Sequence, residues 1–430
     1  MGKDLKVNVE HVTRVEGHGD IVVDVRNGQL KEARFEITEA PRFFEAMLLG
    51  RRYDEAPHIT SRICGICSIG HTSASLRAVE DALGITPSEQ TLLLRKLILH
   101  GETLQSHILH VYFLAAPDFL GAPSVIPLAA THKDVVLRAL RLKKLANDLC
   151  DLVGGRTTHP ISMAVHGFTK LPDPDELRAM QGRLKDGIAD LKATVELFKT
   201  LEIPDFTRET EFIALKRDDE YAFYDGDIAS TDGKRVDVHE YKSMTNEFIV
   251  SYSTAKHARA SRDSYMVGAL ARFNNNYDLL SPLAQWAAEE LGLRPVCHNP
   301  FMNNVAQLVE CVHAVEDGIR IIDEILSRGL KEEDRSVEVK AGRGIGAVEV
   351  PRGILYHDYT IDDQGRITDA NCIIPTNQNL ANICKDMEAF VPQIMDQPKD
   401  KITLTLEMLV RAYDPCISCS AHLLNVRFVQ

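Results

Sequence analysis

Two short stretches, Arg62-Ile63-Cys64-Gly65-Ile66-Cys67 and Asp414-Pro415-Cys416-Ile417-Ser418-Cys419, decide how this chain is read. Each carries a C-x-x-C pair, and the turn between the cysteines brings two sulfurs close enough to share one ion. Each pair has polar escorts, Arg62 and His71 for the first, Asp414 and His422 for the second. Four thiolates together select a soft or borderline metal such as Zn, Fe, Ni or Cu(I). A structural zinc site is the ordinary explanation of two such pairs. Here the pairs lie near opposite ends of the chain, whereas a zinc ribbon or finger closes a loop of roughly 12–20 residues. A chain of 430 residues also needs no metal to build a core. A redox disulfide would account for one pair, but not for two pairs with matching escorts.

Outward from these stretches the chain is an ordinary globular one. With 44% hydrophobic and 26% charged residues, collagen-like and low-complexity readings are excluded. The length suits two or three domains, or one large one. Nine cysteines, an odd number in a long chain, argue against a disulfide framework. No run of about 18 apolar residues exists, so a membrane span is not expected. A net charge of −13 repels nucleic-acid phosphates. Met1-Gly2-Lys3-Asp4-Leu5 lacks the apolar core of a secretory signal, and a cytoplasmic location is expected, although a subunit can cross a membrane on its partner's signal.

Periodicity gives the coarse architecture. Residues 5–40 alternate apolar and polar around Asn27-Gly28, the signature of a hairpin or small sheet. Helical periods follow over 92–114, 133–153 (ending at Gly154-Gly155), 175–201, 264–291 and 305–330. Residues 337–374 return to strand character, and 402–412 to helix. The expected fold is α+β and predominantly α: a single unit with an N-terminal β region (1–40), a mainly helical core (41–334), a β-rich segment (335–376) and a C-terminal ligand segment (377–430). Gly342-Arg343-Gly344-Ile345-Gly346 falls short of a dinucleotide fingerprint and reads as a turn between strands.

The motifs resemble the two signatures of the large subunit of [NiFe]-hydrogenases, Arg-x-Cys-Gly-x-Cys-x-x-x-His and Asp-Pro-Cys-x-x-Cys-x-x-His. Arg14-Val15-Glu16-Gly17-His18, Pro41-Arg42-Phe43-Phe44-Glu45, Gly154-Gly155-Arg156 with His159-Pro160, Pro351-Arg352-Gly353, and Pro375-Thr376 with Asn379 are similar to further family segments in the same order. The wording from Asp414 to His422 is most similar to the cytoplasmic, bidirectional group that works with soluble carriers.

The resemblance implies that Cys64, Cys67, Cys416 and Cys419 bind nickel. Cys67 and Cys419 would also bridge to an iron carrying CO and CN ligands. It implies Cys416 as proton acceptor, Glu16 as proton relay, Arg352 above the metals and Asp414 orienting that arginine. It gives Glu45, the backbone carbonyl at Cys372 and His422 to a Mg²⁺ site. From the residues alone, Glu16 reads as a salt-bridge partner of Arg14, and Arg352 as a surface arginine after a Pro turn. Two departures are visible. Ser106 stands where the family often has Asp, near His107 and His110, and residues 423–430 extend beyond His422, where family members are commonly cut on maturation.

The remaining cysteines, Cys150, Cys297, Cys311, Cys372 and Cys384, match no iron–sulfur spacing. The chain is therefore expected to hold neither an iron–sulfur cluster nor flavin. It implies an iron–sulfur small subunit, flavin-containing electron-transfer subunits beyond it, a maturation protease and metal-insertion proteins. The expected reaction is H₂ ⇌ 2H⁺ + 2e⁻. A quinone-reductase-type subunit of a respiratory complex shares the fold but lacks the four cysteines. A zinc-stabilised scaffold would keep them for structure, and metal content separates the readings.

Overall fold

The N-terminal alternation produces three antiparallel strands, β1 (Leu5–Val9), β2 (Gly19–Arg26) and β3 (Gln29–Ile37), paired in that order. Asn27 and Gly28 both adopt left-handed backbone (φ 51° and 76°), as a two-residue hairpin turn requires. Every second residue of β2 is buried: Ile21, Val23 and Val25. The computed structural model describes residues 4–421, so His422 and the extension 423–430 lie outside the described residues.

Helix α1 (Ser68–Leu83) starts at Cys67. Helix α2 (Glu89–Ile108) is capped by Ser88, whose hydroxyl accepts the Thr91 amide at 3.0 Å. The period read over 92–114 is not one α-helix: residues Leu109–Ala115 widen into a π turn. Helix α3 (Lys133–Gly154) ends on Gly155 at φ 73°, the left-handed cap that Gly-Gly foretells. Helix α4 (Pro174–Phe198) is capped by Asp173. With α5 (Asn303–Arg328) these form a bundle in which α2, α3, α4 and α5 each pack on two of the others.

The middle of the chain departs from the expected helical core. Strands β4 (Glu211–Lys216), β5 (Asp227–Ser230), β6 (Arg235–Val236) and β7 (Tyr265–Met266) form a sheet ordered β7-β4-β5-β6. They are short, and β4 is buried on both faces, so no alternation marks it. The helix expected over 264–291 splits into Ala269–Asn276 and Pro282–Glu290, the second starting at Pro282.

Near the C-terminus β8 (Gly342–Val350), β9 (Gly353–Ile361) and β10 (Ile367–Ile373) form an antiparallel meander. The glycine run is not a turn but one face of β8. A Cβ at Gly346 would lie 2.0 Å from the Ala74 carbonyl oxygen, at Gly344 2.2 Å from that of Ala78, and at Gly342 2.1 Å from that of Ala82. Strand period two meets helix period four, and only glycine lets backbone approach backbone this closely. The helix that starts at Cys67 is thus laid directly on the strand that leads into the turn at Arg352. Helices α6 (Pro375–Ile394) and α7 (Lys399–Ala412) then lead to Asp414. Among the described residues no helix is long and apolar enough to cross a membrane.

Candidate metal centre

The two cysteine turns meet in the interior. The sulfurs of Cys64, Cys416 and Cys419 all lie within 4.8 Å of one another, and all are buried. Cys64 Sγ is 3.6 Å from Cys416 Sγ and accepts the Cys67 amide at 3.1 Å. Cys416 and Cys419 are paired as a disulfide, which reduction opens to two ligands. Cys67 precedes the first turn of α1, and its sulfur accepts from Arg352 Nη1 at 3.1 Å. Hydrogen bonding from Cys67 and the Arg352 guanidinium draw the Cys64 thiol below its usual range, against burial, while the same bond and burial push Cys67 up. The pair therefore favours one thiolate in the absence of metal. An all-sulfur, buried donor set suits nickel and iron and not a hard cation.

Arg352 is no surface residue. It is buried in the turn between β8 and β9, donating to Asp414 Oδ1 at 2.8 Å and to the Asp414 carbonyl at 2.6 Å. Asp414 also accepts from Gln307 at 3.1 Å and lies 4.0 Å from His110 Nε2. The turn is held from behind by buried Arg272, which donates to the carbonyls of Val350 and Pro351 (2.9 and 3.0 Å) and pairs with Glu310 and Glu349. His107 bonds Glu310 at 2.8 Å and belongs to this support. Ser106 is buried with no hydrogen-bond partner for its hydroxyl among the described residues.

Glu16 is not the partner of Arg14. Arg14 pairs with Asp118, which also binds Arg411 at 2.7 Å, and Arg411 in turn donates to the Thr13 carbonyl. That clamp leaves Glu16 free to face the C-terminal turn. Its carbonyl accepts the Ile417 amide (2.9 Å), and its Oε2 accepts the Ser418 amide (3.0 Å). The same oxygen is 3.2 Å from Cys416 Sγ, a hydrogen bond when that sulfur is a thiol. Gly17 takes φ 84°, and a Cβ there would meet Ile417 Cβ at 2.7 Å, so the approach depends on glycine.

Glu45 is brought to Cys372, whose amide donates to Glu45 Oε1 at 2.8 Å. Burial raises the Glu45 carboxyl to about 7, with Lys256 and Glu247 nearby in the same electrostatic field. Of the escorts, Arg62 is exposed, while His71 is buried with Nδ1 3.2 Å from His357 Nε2.

Sequence reasoning passed over Glu102. This fully buried carboxyl on α2 accepts the amides of Ile69 (2.7 Å) and Gly70 (3.1 Å) in the first turn of α1, and burial lifts it to about 8. It gave no sequence signal, because the amides it accepts, Ile69 and Gly70, lie on another helix. Asp118 and Arg272 gave no sequence signal, because their partners lie far away in the chain.

Fold and dithiol centre together define the catalytic large subunit of a nickel-dependent hydrogenase. Comparison with known proteins agrees: the profile of the nickel-dependent hydrogenase family matches residues 42–134 and 207–422, and one described as HoxL-like matches 6–40. The chain belongs to this nickel-dependent hydrogenase family and is an oxidoreductase of the [NiFe] type. It is 35% identical to the sulfhydrogenase 1 subunit alpha of Pyrococcus furiosus, over 98% of this chain and 99% of that one. It is also 35% identical to the sulfhydrogenase 2 subunit alpha of the same organism, over 98% and 100%. Its fold matches a crystal structure of an NAD⁺-reducing [NiFe]-hydrogenase in the H₂-reduced state with TM-score 0.88 and 28% identity, covering 97% of this chain and 99% of that one.

Proposed function

We propose that the four cysteines hold a nickel–iron pair at which H₂ is reversibly cleaved to two protons and two electrons, in the cytoplasm. The observation that carries this is the convergence of three buried sulfurs, those of Cys64, Cys416 and Cys419, with buried Cys67 beside them, its amide on Cys64 Sγ. Cys64, Cys67, Cys416 and Cys419 would be the nickel ligands, with Cys67 and Cys419 shared with an iron bearing CO and CN. When bound, such a pair supplies the Lewis acidity and redox capacity that polarise a very weak acid.

The protein's own groups do the rest. The Cys416 thiolate takes one proton, and Glu16 Oε2, 3.2 Å away, receives it and passes it outward. The Ser418 amide holds that carboxylate in place. Arg352 presents a fixed positive charge over Cys67, and Asp414 fixes its plane in a dry site where such an interaction is strong. Glu45, the Cys372 carbonyl and His422 would hold a Mg²⁺ ion, a carboxylate with a carbonyl oxygen being a hard-cation donor set; the Cys372 amide, donating to Glu45 Oε1 at 2.8 Å, brings that stretch of backbone to the carboxyl.

Electrons leave through a partner bearing iron–sulfur clusters, with flavin subunits beyond it. Elemental analysis and H₂-dependent dye reduction by the purified complex test the reading. About one nickel per chain, with infrared bands of iron-bound CO and CN and activity, supports it; zinc alone, without activity, contradicts it.

A further inference from the structure

One guanidinium touches both cysteine turns and has no role so far. Arg42 Nη2 donates to the Ile63 carbonyl, immediately before Cys64, and to the Ser418 carbonyl, immediately before Cys419. These residues are more than 350 positions apart in the chain, as the separation of 352 between Cys64 and Cys416 shows. The Arg42 amide donates to the Ala421 carbonyl at 2.9 Å, so backbone and side chain grip the same C-terminal turn. The guanidinium sits over the Phe44 ring, 5.2 Å from its centroid, which fixes its plane. Cys419 Sγ lies 3.8 Å from the Ile63 carbonyl oxygen that Arg42 holds.

Arg352 offers the complementary link, from the Cys67 sulfur to Asp414. The two arginines divide the work. Arg352 joins the second cysteine of the first turn to the base of the second turn. Arg42 joins the entrance of the first turn to the exit of the second. Without Arg42, the Ile63 and Ser418 carbonyls lose the cation between them, and the two turns are left joined only by weak sulfur contacts, Cys64 to Cys416 and Cys419 to the Ile63 carbonyl, among the described side chains near this point.

We propose that Arg42 is a positioning residue of the metal centre: its guanidinium pins the Cys64 turn to the Cys419 turn and sets the gap their sulfurs offer to nickel. The inference rests on the four-cysteine reading above. Lysine can reach both carbonyls with its ammonium but cannot stack as a plane, and methionine can do neither.

The test uses the intact complex, with wild type, Arg42→Met, Arg42→Lys and Arg42→Gln purified alike. Nickel per chain is measured before and after dialysis against a chelator, with infrared spectra of the iron-bound diatomic ligands. Arg42→Met is expected to hold nickel about tenfold to a hundredfold more weakly, in line with other residues that orient metal ligands. Its infrared bands should be shifted or broadened. Arg42→Lys should recover most of the nickel and narrower bands. Wild-type retention and wild-type bands in Arg42→Met would overturn the proposal. If Arg42→Met does not accumulate, Arg42→Gln decides by the same two readouts, since it keeps one donor but no charge. A wild-type complex lacking nickel and the infrared bands would instead sink the four-cysteine reading itself.

Discussion

Replacing Glu16 by glutamine separates proton transfer from architecture. The Glu16 carbonyl, which accepts the Ile417 amide at 2.9 Å, is untouched. The glutamine side-chain oxygen can still accept the Ser418 amide, now at 3.0 Å from Oε2. What is lost is one charge-assisted hydrogen bond made neutral, about 1 kcal/mol. Glutamine cannot accept a proton from Cys416, so the relay step loses the about 10²–10⁴-fold that a positioned acid–base group provides, or about 3–5 kcal/mol of barrier. The assay is H₂/D₂O isotope exchange by mass spectrometry, alongside nickel content and thermal melting. Glu16→Gln should keep its nickel, melt close to wild type and exchange at least a hundredfold more slowly, within that same range. Exchange at the wild-type rate, with nickel retained, would refute the relay.

Three other outcomes follow from the same geometry. Gly344→Ala puts a methyl 2.1 Å from the Ala82 nitrogen and 2.2 Å from the Ala78 carbonyl, both rigid backbone. It should destabilise the chain by about 1–3 kcal/mol in urea unfolding, whereas Gly233→Ala, in open space, loses only what a positive φ costs. Arg352→Met leaves Asp414 as an unpaired buried charge, a cost of about 3–5 kcal/mol, and Asp414→Asn in the same chain should restore part of it. Burial holds the Glu102 carboxyl up at about 8, above its ordinary 4.5, so the folded state binds the extra proton. Its stabilising contribution is complete below the unfolded value and is lost as pH rises through about 8. Glu102→Gln should therefore gain stability over wild type progressively across that window in the metal-free chain; a gap independent of pH would contradict the buried carboxyl.

The elements with local causes were the legible part. The Asn27-Gly28 hairpin, the Gly155 cap and the helices of the bundle have local causes, a turn type, a left-handed cap and a 3.6-residue period, and the structure carries them. The middle was not legible, because β4 is buried on both faces and β5 to β7 are too short to show a period. The glycine run at 342–346 was misread for a related reason. Glycines signal turns when seen alone, and only the facing alanines of α1 reveal them as a contact surface. At the centre, residue types and spacing pointed to the four cysteines, since a dithiol turn is a local object. What holds those turns together is non-local. Arg14 turned out to share Asp118 with Arg411 instead of pairing with Glu16, and Glu102, Arg272 and Arg42 act through partners that no short window of sequence contains.

X-ray absorption at the nickel edge of the reduced complex probes the meeting of the two turns most directly. Nickel in a shell of sulfur neighbours, with iron as the next heavy scatterer, and a sulfur count that falls in both Cys64→Ser and Cys419→Ser, is the expected result. Nickel surrounded by nitrogen and oxygen, or a sulfur shell that ignores one of the two pairs, would contradict it.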